Sequence, residues 1–113
     1  MGQSQCVAEL DDALKLIGLP WVNTIAADRD GNAFYGDLSS TPNLDAGTIG
    51  QCRRMVKGIP SQAVILDGAD PACDWRVDAR SAVPGNLPPD DMPRATSREY
   101  FTNSNDSYWL SNP

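Results

Sequence analysis

The stretch YFTNSNDSYWLSNP, residues 100–113, gathers the side chains best suited to chemistry. Asn103, Asn105 and Asn112 lie with Asp106, three serines and Thr102 among Tyr100, Phe101, Tyr108 and Trp109. A neutral asparagine held between rigid rings can aim a side-chain N–H at one fixed point. Where a carbonyl oxygen becomes an oxyanion, such a donor contributes about 3–4 kcal/mol of transition-state stabilisation. It does so without a charge that would also hold the ground state. The same residues can equally form an Asx-rich turn whose amides satisfy buried backbone. Residue types alone leave both readings open.

Other chemistry has weaker support. Asp28/Asp30, Asp67/Asp70/Asp74 and Asp90/Asp91 could pair for acid–base work, but each set sits beside glycine or proline, where aspartate commonly caps the turn itself. The chain has no histidine, which removes His-based triads and most zinc sites. Its three cysteines, Cys6, Cys52 and Cys73, include no Cys-x-x-Cys pair, so they form a poor metal site. An odd count fits three thiols, or one disulfide with one thiol left over. The segment DGADPACD lacks the spacing and terminal glutamate of an EF-hand. Neither a metal nor a cofactor is expected. Asn105–Ser107 matches the N-glycosylation pattern, but the flanking aromatics argue against a bare surface loop.

The elements that must position these residues are short. Val7, Leu10, Leu14 and Ile17 recur at helical spacing and predict an amphipathic helix over 4–17, with Ser4 as N-cap and Gly18 and Pro20 ending it. Residues 21–27 and 33–38 predict a β-hairpin turning at Asp30-Gly31, because glycine accepts the positive φ such turns need. A second short helix is expected over 48–57, around Ile49, Cys52, Met55 and Val56. A weak strand is expected at 63–66 and a last one at 100–102. Between 77 and 93, four prolines and one glycine exclude a long helix or central strand. That segment is expected to be an ordered meander only if something covers it.

At 113 residues the chain has room for one modest core, and it carries a formal charge of −6 without any basic stripe. A nucleic-acid surface and an anionic membrane are therefore not expected as partners. No apolar run approaches a bilayer span. The opening MGQSQCVAEL shows no signal-peptide pattern, which leaves the compartment open.

Three blocks, LPWVNTIAADRDGNAFYGDLSSTPN, VILDGADPACDW and TNSNDSYWLSNP, resemble the β-subunit of the penicillin acylase family, near its acyl-homoserine lactone and aculeacin acylase branch. The resemblance implies an N-terminal nucleophile hydrolase, secreted or periplasmic, with an αββα sandwich. In that family a serine at the start of the β-subunit attacks and its own α-amine is the base, so no histidine is required. It implies that Asn105, or Asn103 if the register is two off, is the oxyanion-hole amide. It also implies that Trp21 lines the acyl-chain pocket and that Cys52 and Cys73 form a disulfide.

The expected fold class is thus α+β: a partial αββα sandwich with one amphipathic helix, a β-hairpin and a long Pro/Gly-rich loop region, residues 1–113 forming a single partial domain. The chain is expected to be an internal fragment lacking the nucleophile, inactive alone, with the α-subunit and the rest of the β-subunit as partners. An alternative from another class is a free-standing binding module that presents a Trp/Tyr/Asn surface to a sugar or peptide.

Overall fold

A computed structural model describes residues 2–17, 21–61 and 63–103. Helix α1 spans Val7–Leu14, and Val7, Leu14 and Ile17 are buried. It is shorter than predicted, and Ser4 is not its cap. The N-cap is Cys6, whose side chain makes no capping bond. Asp28, from outside the helix, accepts the Val7 N–H at 3.3 Å, while Glu9 of the first turn reaches back to accept the Gln5 N–H at 2.7 Å. The helix exits through Ile17, which takes a left-handed φ of 53°, unfavourable for a β-branched residue. Burial of the Ile17 side chain opposes that strain.

The hairpin forms from β1, Thr24–Ala27, and β2, Ala33–Gly36, with Ile25 opposite Tyr35 and Ala26 opposite Phe34. Its connection is a three-residue loop, residues 29–31. The Gly31 N–H bonds the Asp28 carbonyl at 3.2 Å, the Asp28 N–H bonds the Asn32 carbonyl at 3.0 Å, and Gly31 sits at φ 80°. This is a tight turn closed by a left-handed glycine, a combination that preserves strand twist.

A third strand, β3, covers Arg94–Ser97 and pairs antiparallel with β2, giving the order β1-β2-β3. The strand expected at 100–102 is thus displaced upstream, and those residues lie outside any strand. Phe34, only 1% exposed, faces α1 together with Ala26 and meets Val7, Leu14, Ile17, Leu38 and Met92. Gly36 lies on the same face. A Cβ there would stand 2.6 Å from Leu38 Cδ1 and 2.7 Å from Phe34 Cζ, so only glycine lets these side chains close over the strand.

Helix α2 spans Ala46–Cys52, with Asp45 accepting the Thr48 N–H at 2.7 Å as N-cap. The predicted 48–57 helix is therefore early and short. Arg53 turns extended and makes an isolated bridge with Leu66, leaving Met55 and Val56 exposed. Residues 63–66 contribute that one bridge in place of a strand. Cys52 and Cys73, both buried, are joined by a disulfide with their Cα atoms 5.6 Å apart, and Cys6 is free.

The Pro/Gly-rich segment is an ordered meander, covered by residues 40–43. Pro42 bridges Asn86, the Leu87 N–H bonds the Thr41 carbonyl at 2.7 Å, and buried Asn86 donates to Ser40 Oγ at 2.8 Å. Arg80 is clamped between Asp78 and Asp91.

Candidate functional site

Five of the seven carboxylates that could have done acid–base work, Asp28, Asp67, Asp70, Asp90 and Asp91, are engaged as structural ligands. Asp28 accepts from the N–H groups of Val7, Asp30 and Asn32 and from the Asn32 side chain. Those donors, the Asn32 amide foremost, hold its carboxyl well down, at about 2. Asp70 caps a 3-10 turn over Pro71–Cys73. Asp67 accepts the Ala69 N–H and pairs with Arg54. Asp90 pairs with Arg94 and Asp91 with Arg80. Among the described residues no group of three His, Cys, Asp or Glu side chains could hold a metal ion.

The outward face of the sheet is different in kind. Ile25, Tyr35 and Ala95 stand side by side across the three strands, pointing away from α1. Tyr35 organises this face. Its hydroxyl donates to Asn23 Oδ1 at 3.0 Å, and its ring meets Phe101 with centroids 6.3 Å apart and planes tilted by 40°. Burial, then the nearby Asp37 charge, raises the phenol's pKa above its ordinary value, so it remains a donor at neutral pH. Tyr35 thus ties the segment beginning at Trp21 to the segment that approaches the terminal asparagines. Trp21 itself is 82% exposed and Tyr100 is 83% exposed, while Asn103 is half-buried. Asn105 lies outside the described residues.

The sequence reading did not single out Tyr35. The available signal was an aromatic in the second hairpin strand, placed by the Asp30-Gly31 turn across from Ile25 on the face opposite Phe34.

Residues 1–113 match the penicillin amidase family, and the chain belongs to it. It is 38% identical over 114 residues to the acyl-homoserine lactone acylase PvdQ of Pseudomonas fluorescens, a match covering 100% of this chain and 14% of that protein. It is likewise 38% identical over 103 residues to the PvdQ of Pseudomonas syringae pv. syringae, covering 91% of this chain and 13% of the relative. Aculeacin-A acylase of Actinoplanes utahensis is 41% identical over 118 residues, covering 100% of this chain and 15% of the relative. The chain therefore spans about one seventh of the length of the curated relatives it matches.

Proposed function

We propose that this chain is a piece of an acylase that hydrolyses side-chain or linear amide bonds of acyl-homoserine lactone, lipopeptide or penicillin type. The observation that carries the reading is the 38% and 41% identity to named acylases along the whole of this chain. In this reading the three-stranded sheet and α1 are part of one half of an αββα sandwich, and residues 1–113 are one partial domain. The attacking serine, its α-amine and the backbone oxyanion donor come from the remainder of the acylase, so this chain alone is inactive.

The chemistry then assigned here is electrostatic. As the nucleophile adds to the amide carbon, negative charge gathers on the carbonyl oxygen. Asn105, or Asn103 in the alternative register, donates its side-chain N–H to that oxygen at about 2.7–3.1 Å. Trp21 supplies an apolar wall for the acyl chain. Its exposed indole supports this role, because a large apolar ring open to solvent is available to a ligand.

The test uses a complete acylase carrying these residues. Asn105→Ala is expected to lower kcat by roughly 100–1000-fold with little change in KM, whereas Trp21→Ala raises KM for long acyl chains. An Asn105→Ala enzyme with unaltered kcat would move the assignment to Asn103 if Asn103→Ala shows the loss, and would end it if neither does. The exposed Trp21 and Tyr100 also favour a second reading, a module binding a sugar or peptide. That reading requires saturable quenching of tryptophan fluorescence by such a ligand and a cooperative melt of the 113-residue chain.

A further inference from the structure

Residues 53–66 leave the body of the molecule and return to it through one narrow neck. Arg53 and Leu66 face each other as an antiparallel bridge, and the Arg54 N–H bonds the Ile65 carbonyl at 2.8 Å. The Arg53 guanidinium donates to the carbonyls of Ser61 and Ala63. Just outside the neck, the Cys52–Cys73 disulfide joins the two flanks covalently. Beyond the neck, every residue from Arg54 to Ser61 is exposed. Among the described residues, two further backbone hydrogen bonds lie within the excursion, from the Ile59 N–H to the Val56 carbonyl at 3.1 Å and from the Ala63 N–H to the Pro60 carbonyl at 3.0 Å. Gly58 sits at φ 87°.

The tip holds Lys57. Among the described residues its ammonium has neither an ion pair nor a hydrogen bond, and in this respect it is unlike most of the other cations. Lys15 is paired to Asp11 and Asp12 on a helix, and Arg94 lies in a strand between Asp11 and Asp90. Arg76 and Arg80 are ion-paired too. Arg29 lies in the hairpin turn, where Asp28 accepts the backbone N–H groups of Asp30 and Asn32. An endoprotease specific for basic residues needs a free cationic side chain on a run of backbone that can be pulled extended. Regular or tightly bonded backbone must first unfold locally, which lowers the accessible population.

We propose that the Lys57–Gly58 bond is a proteolytic processing site for a trypsin-like endoprotease, and that the cut chain stays one molecule through Cys52–Cys73. The step is simple hydrolysis. Water adds across the bond, Lys57 gains a carboxylate and Gly58 an amine, and no redox partner is involved. The neck contacts of Arg53 with Leu66, Ser61 and Ala63 lie on both sides of the cut and remain available to hold the two ends in place.

Brief trypsin treatment of the folded full chain, with products weighed before and after thiol reduction, tests the proposal. The expected first product has the mass of the intact chain plus one water, and on reduction it separates into pieces ending at Lys57 and starting at Gly58. Lys57→Gln, an exposed change that leaves the fold intact, should slow that first cut roughly tenfold or more. The proposal is overturned if the first cut falls at another basic residue or at several at once. Separation of the pieces without reductant, or an unchanged rate in Lys57→Gln, would also overturn it.

Discussion

Two regions of this molecule are held together by different means. The unit formed by α1, the three strands and residues 87–92 closes around Phe34, with Val7, Leu14, Ile17, Leu38 and Met92 against it. Among the described residues between 44 and 84 the buried side chains are Cys52 and Cys73, and the apolar residues Met55, Val56, Val64 and Val77 are exposed. The first region is organised by area removed from water, the second by a covalent link and polar contacts. Where the sequence supplies too few buried apolar side chains, cross-linking and capping take over the role of the core.

The largest effect is expected at Phe34. Phe34→Ala is expected to destabilise the helix–sheet unit by about 3–5 kcal/mol, measured by denaturant unfolding. A loss below about 1 kcal/mol would mean that Phe34 is not central to its packing. Reduction of Cys52–Cys73 is expected to weaken the second region by about 3 kcal/mol. Amide exchange should rise over 44–76 while β1, β2 and β3 stay protected; loss of protection in both regions would show that they are one cooperative unit. Gly36→Ala forces a methyl against Phe34 and Leu38 and should destabilise the first region alone, by about 1–3 kcal/mol.

The smallest effect is a pH dependence confined to the first region. Asp28 has a folded pKa of about 2 against an ordinary 3.8, so folding favours its ionised form. Its contribution is complete above about pH 4 and fades as pH falls toward 2. Asp28→Asn should flatten that acid limb in a pH series of thermal melts. An unchanged limb would show that other carboxylates set it.

Much of the first region was legible because periodicity speaks for packing. Val7, Leu10, Leu14 and Ile17 marked the face of α1, and Asp30-Gly31 marked the hairpin turn. Element ends were less legible. The cap of α1 comes from Asp28, 21 residues away from Val7, and no local pattern encodes such a partner. β3 escaped notice because Arg94–Ser97 follows Pro93 and carries only one apolar residue; its pairing with β2 is a tertiary fact. The predicted 48–57 helix overran for a related reason. Met55 and Val56 keep the helical period, yet the Arg53–Leu66 bridge takes the backbone away. Of the candidate site, the residue types were readable, whereas Tyr35's part in joining Asn23 to Phe101 became visible only with the sheet register.

The row of Ile25, Tyr35 and Ala95 also limits how this segment can be trimmed. Ile25 is already 45% exposed, and the Phe101 ring is what shields Tyr35 from the C-terminal side. A recombinant boundary drawn right after Ser97 would keep all three strands yet strip that shield, baring a continuous greasy stripe for aggregation. Any minimal soluble version therefore has to run past Phe101, even though the last strand is finished four residues earlier.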